Sequence, residues 1–97
     1  MKRAYLLVYN DLVGFRSHIK NWADSSSLVT TWRSDLPHCF YLVSEASAAE
    51  LCEDLRSRLG RNGRFLFAEV SENRQGFLPE ATWYLLRNKQ LKRREGQ

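Results

Sequence analysis

The sequence is short of cysteine, of proline and of long apolar runs. Two cysteines in 97 residues, Cys39 and Cys52, make neither a disulfide framework nor a C-x-x-C pair, and no asparagine stands in an N-x-S/T context. A small secreted scaffold held by cross-links is thereby excluded, and buried free thiols are expected. No stretch reaches the roughly 18–20 apolar residues of a membrane-spanning helix. The apolar run Ala4–Tyr9 ends at Asn10-Asp11, short of the roughly 7–15 residues of a secretory signal. The expectation is a cytoplasmic protein with no membrane partner. The five glycines, at 14, 60, 63, 76 and 96, form no phosphate loop, and neither G-x-S-x-G nor H-E-x-x-H is present.

Excess charge is also missing from most of the chain. Residues 1–86 carry ten basic and ten acidic side chains, so the net charge of +4 comes from Arg87, Lys89, Lys92, Arg93 and Arg94 against Glu95. Such a segment either contacts phosphates without reading sequence or solubilises a terminus. What the chain does have is 43% hydrophobic residues, with five Phe, four Tyr and three Trp, enough for one core. We expect a single domain over 1–87 and a flexible basic tail over 88–97.

Ala4–Tyr9, apolar throughout, reads as a central strand. Leu12, Phe15, Ile19 and Trp22 recur at a helical period, predicting a first helix over 12–22 with Asp11 as its cap. The β-branched run 28–32 and residues 38–43 read as a hairpin with a five-residue loop, Arg33 to Pro37. Ser47-Ala48-Ala49-Glu50 is a capping box, opening a helix with Ala48, Leu51, Leu55 and Leu59 on one stripe and Gly60 as its stop. Residues 64–70 form a fourth strand, and Leu78-Pro79 opens a short last helix ending near Arg87. This order, βαββαβ plus a helix, predicts a ferredoxin-like α/β sandwich with two helices on one face of a four-stranded antiparallel sheet.

Alternation along the strands separates Leu6, Val8, Leu66, Ala68 and Val70 from Tyr5, Leu7, Tyr9, Phe65 and Phe67. The aliphatic set is expected under the helices. The aromatic set, with Trp32 or Tyr41 according to register, is expected on the other face. There it packs under the segment holding Phe77, Trp83 and Tyr84, meets a second subunit, or stacks unpaired bases. The third strand lacks the aromatic signature of an RNA-recognition motif.

Few residues carry chemistry. Asp11, at the end of the first strand, is either a helix cap or a ligand for a hard cation such as Mg²⁺, which two copies across a dimer axis would share. His18 and His38 are candidates for an acid/base pair, although nothing in their spacing brings them together. Arg33, Asp35, Arg61 and Arg64 fall in expected loops, where they are solvated or touch phosphates.

The strand end Leu7–Asn10, Thr30-Thr31-Trp32, Tyr41-Leu42-Val43, the cap Ser47–Leu51, Arg64–Val70 and Leu78-Pro79-x-x-x-Trp83 resemble the SinR-like small proteins. Those are similar to the ferredoxin-like CRISPR-associated protein 2 family and, more distantly, to the virulence-associated VapD family. The resemblance spans about residues 4–87. It implies a homodimer built through the sheets and, in the CRISPR-associated family, double-stranded DNA binding beside an integrase, with metal-dependent nuclease activity in some members. An aspartate ends the first strand in the CRISPR-associated family. The matching position here is Asn10 or, shifted by one, Asp11, and Asn10 would remove the metal-binding carboxylate.

Two functional expectations follow. In one, a dimer built through Tyr5, Tyr9, Phe65 and Phe67 binds nucleic acid through Arg61, Arg64, Arg87, Lys89, Lys92, Arg93 and Arg94, with Asp11 as the catalytic metal ligand. In the other, a non-catalytic dimeric interaction module carries an incidental basic tail. If the tail contacts phosphates, removing residues 88–97 weakens nucleic-acid binding strongly. Affinity for the full-length chain then falls steeply between about 50 and 200 mM salt. Filter binding of the two lengths checks this, and equal affinities would eliminate the tail as a contact.

Overall fold

The computed structural model describes residues 1–59 and 62–91. Four antiparallel strands form one sheet: β1 (Arg3–Tyr9), β2 (Val29–Leu36), β3 (Cys39–Ser44) and β4 (Phe65–Glu69). Their spatial order is β2-β3-β1-β4. Three helices complete the α+β fold: α1 (Arg16–Ser25), α2 (Ala48–Arg58) and α3 (Glu80–Asn88). No described helix is long and apolar enough to cross a membrane.

Of the two central strands, β3 is buried on both sides, whereas β1 is buried on the side of Tyr5, Leu7 and Tyr9 and leaves Val8 exposed on the other. In register, Tyr5 stands opposite Leu42, Leu7 opposite Phe40 and Phe67, and Tyr9 opposite Phe65. These side chains share one face and form the main core with Ile19 and Trp22 of α1 and Leu51 and Leu55 of α2. On the other face Ala4, Cys39, Tyr41 and Val43 pack against Leu85 and Leu86 of α3. The expected assignment of faces is therefore inverted. The aromatic set lies under α1 and α2, and Leu66 and Val8 are exposed on the opposite side. Alternation separates the two faces of a strand but does not say which face meets a helix. The broad rings fill the space beneath the two helices, and the Tyr5 hydroxyl donates to the Ala46 carbonyl at 2.6 Å inside that layer.

The first helix also differs from the expected 12–22. Residues 11–13 form a turn, and Gly14 has φ 154, a conformation that side-chain-bearing residues seldom adopt, so the helix starts only at Arg16. Asp11 consequently caps nothing. The Phe15 N–H is instead taken by His18 Nδ1 at 3.0 Å. Ile19 and Trp22 are buried as the period requires, but Leu12 and Phe15 are exposed. Asp54 of α2 ties the two core helices together, accepting from Trp22 Nε1 at 2.9 Å and from Ser26 Oγ at 2.7 Å.

The expected five-residue hairpin loop is largely strand. β2 runs to Leu36, which pairs with Cys39 across the two-residue turn Pro37-His38. Proline at the first corner and His38 at φ 57 at the second suit a type II turn. Arg33 and Asp35 read as loop residues because they are charged. On the strand they face α3, where Arg33 Nε donates to Thr82 Oγ1 at 2.9 Å, Thr82 Oγ1 donates to Asp35, and Arg33 pairs with Asp35 at 3.1 Å. This partly buried network, centred on the buried Thr82, fixes the last helix on β2 and β3.

The capping box is present as read: Ser47 Oγ accepts from the Glu50 N–H at 3.1 Å, and Glu50 accepts from the Ser47 N–H at 3.0 Å. Those bonds hold the Glu50 carboxyl below its usual range. A depressed carboxylate stabilises the fold above the unfolded value of about 4.3 and loses that contribution as pH falls through the folded value. Thermal melts from pH 6 to pH 3 should therefore lose less stability in Glu50→Gln than in the wild type, and parallel curves would refute this. Within the core, Leu55→Ala should cost about 2–5 kcal/mol in urea titration. Tyr5→Phe should cost about 1–3 kcal/mol, because the Ala46 carbonyl is left without its donor.

Candidate functional site

Chemistry-bearing groups gather at the end of the sheet where β1 finishes, the β2–β3 turn folds over and β4 begins. Asn10 organises this end. Its N–H donates to the Arg64 carbonyl at 3.0 Å, and its Oδ1 accepts from the Leu12 N–H at 3.2 Å and the Arg64 N–H at 3.1 Å. Gly63 completes the clamp, since a Cβ there would come within 2.4 Å of Val13. With its oxygen occupied twice, Asn10 is a structural bracket. Its neighbour Asp11 is left projecting into solvent.

Asp11 Oδ1 lies 2.7 Å from His38 Nε2. The left-handed backbone of His38 turns the imidazole across the end of β1, and the Tyr9 ring packs against it with centroids 5.6 Å apart. Both partners are open: the Asp11 side chain is 71% exposed and that of His38 48%. Arg16 reaches the same region, donating to the Ser34 carbonyl at 3.0 Å with its guanidinium 5.7 Å from the centre of the Phe40 ring. Burial pushes the Tyr9 phenol up, with the Arg16 charge opposing and the Asp11 charge reinforcing that shift. A carboxylate-oriented imidazole can act as a general acid or base.

The remaining sequence candidates are scattered. Tyr5, Tyr9 and Phe67 are buried in the chain's own core and Phe65 packs partly against it, so these four residues do not form an open dimer face. His18 is engaged at the start of α1, and the partner the fold gives His38 is Asp11. Arg64 is exposed beside Asn10. Arg87 pairs with Glu80 at 2.7 Å, and Lys89 caps α3 at φ 56. Arg61, Lys92, Arg93 and Arg94 lie outside the described residues. Cys39 is buried on the α3 side of the sheet, which pushes its thiol up and leaves it a poor nucleophile.

Among the described residues no three His, Cys, Asp or Glu side chains are grouped to hold a metal ion. Asp11 offers one carboxylate per chain and its nearest companion is an imidazole. Mg²⁺ prefers a shell of oxygens, so this donor set does not by itself fit the expected magnesium site. Comparison with family models, with curated proteins and with solved structures finds no match. The geometry of the site is thus the ground for a functional reading.

The Asp11–His38 contact joins residues 27 positions apart. The sequence signal for it is slight: a histidine beside a proline at a hairpin corner, and an acid just past a strand. Once the turn is shortened to Pro37-His38, the antiparallel pairing of Val8 with Cys39 carries the preceding residue to the end of β1.

Proposed function

We propose that the chain is a nucleic-acid-associated protein of ferredoxin-like fold, acting on or gripping phosphodiesters at the Asp11–His38 end of the sheet. The βαββαβ order and the sheet order β2-β3-β1-β4 support the ferredoxin-like reading and, with it, the resemblance to the CRISPR-associated protein 2 and SinR-like families. The 2.7 Å contact between Asp11 and His38 is the observation that carries the reading. Exposed Arg16 and Arg64 at the same end supply positive charge for a phosphate.

With Asp11 accepting from Nε2–H, the His38 Nδ1 lone pair is the base. On RNA it takes the proton of a ribose 2′-hydroxyl. The 2′-oxygen bonds to phosphorus, the bond from phosphorus to the 5′-oxygen breaks, and that oxygen takes a proton from water, leaving a 2′,3′-cyclic phosphate. Asp11 is a positioning residue in this step: it sets the tautomer and stabilises the imidazolium. The homodimer belongs to the same proposal. Since the aromatic face is occupied by α1 and α2, the dimer joins through the outer edge of β4, a strand that among the described residues pairs only with β1 and exposes Leu66.

Labelled single-stranded RNA and short duplex DNA, incubated with Mg²⁺ or EDTA, test the reading. RNA should be cut in EDTA to cyclic-phosphate ends, with the rate falling about 10²–10⁴-fold in His38→Gln and less in Asp11→Asn. Cleavage of DNA that requires Mg²⁺ and vanishes only in Asp11→Asn would replace the imidazole with a metal as the catalyst. Salt-sensitive binding without cleavage would leave a phosphate-gripping adaptor. Loss of both binding and cleavage would leave the interaction-module alternative. Light scattering at tens of micromolar should give a dimer, and a monomer would remove the β4-edge assembly.

A further inference from the structure

α3 packs on β2 and β3, leaving the β1 side of that sheet face for the segment 74–78 to cover. Between them lies a groove of about 550 Å³. Leu6 and Val8 line it from β1, Val70 from just beyond β4, Trp83 and Leu86 from α3, and Phe77 from the covering segment. Its size is that of small-molecule sites, which span about 300–1,000 Å³ and combine apolar walls with a few polar groups.

The fixed charge here is the Arg74 guanidinium. Among the described residues no carboxylate lines the groove, whose ionisable residues are His38, Cys39, Tyr41 and Arg74. Burial keeps two of these neutral, raising the Cys39 thiol and pushing Tyr41 up to about 12. His38 is engaged by Asp11. Arg74 is half-buried, donates to the Ser71 carbonyl at 2.9 Å and, among the described residues, makes no ion pair with a carboxylate.

We propose that this groove binds a small amphiphilic anion, an alkyl or aromatic body carrying one carboxylate or sulfonate, with the anion on Arg74 and the body along Leu6, Val8 and Trp83. Charge complementarity selects this ligand. A neutral hydrocarbon leaves the guanidinium without its counter-charge, a cationic amphiphile is repelled, and the planar guanidinium fork matches an oxyanion bidentately. The anion rests on Arg74 rather than on Asp11, so the proposal does not depend on the phosphodiester reading, although the groove and the Asp11–His38 pair share His38.

Fluorescence titration of the full-length protein with anilinonaphthalene sulfonate, and with uncharged phenylnaphthylamine, tests it. The sulfonate should bind saturably, one per chain, and be displaced by decanoate but not by decanol. Arg74→Gln should weaken the sulfonate about tenfold, equivalent to about 1.4 kcal/mol, and leave the uncharged probe unchanged. Val8→Asp, at a site 42% exposed and therefore tolerant of a charge, should weaken the sulfonate at least as much while the circular dichroism stays native. Unsaturable binding, or equal sulfonate affinity in Arg74→Gln and wild type, overturns the proposal. So does an affinity that drops as the protein is concentrated into a dimer, which would assign the groove to a second copy.

Discussion

Every side chain of β3, from Cys39 to Ser44, is buried. A strand with no exposed face must be covered on both sides, and the rest of the architecture follows from that requirement. α1 and α2 cover the side of Phe40 and Leu42. The chain must then return to cover Tyr41 and Val43, and α3 does so with Leu85 and Leu86. The Arg33–Asp35–Thr82 network makes the return specific, because a polar group buried between a strand and a helix is tolerated only where its partners are in place.

Coverage by a nine-residue helix is partial, and the incomplete part is where a ligand could be held. α3 spans the β2–β3 half of its face, while Val8 and Leu66 on the other half stay exposed. The groove under residues 74–78 and the Asp11–His38 pair share one residue, His38, which lines the first and completes the second. Its position follows from the tight Pro37-His38 turn, so the same local geometry shapes both features.

Several elements were legible because their signals are local. Ser47 and Glu50 specify a helix start by bonding each other's backbone amides, and Leu51 and Leu55 are buried as their spacing requires. Strand alternation correctly sorted β1 and β4 into two faces. Other features depended on distant partners. Arg33 and Asp35 look like turn residues until Thr82, 47 or more positions away, is placed beside them. Leu12 and Phe15 fit a helical period that Gly14 interrupts.

The sequence by itself determined the order of strands and helices, the capping of α2 and the neutrality of the body, since each depends on neighbours a few residues apart. Only the tertiary structure decided which sheet face meets which helices, that Asn10 is a bracket, and that the exposed Asp11 faces His38. These outcomes rest on packing volume and on hydrogen bonds between residues 27 to 54 positions apart, and no local pattern encodes such distances.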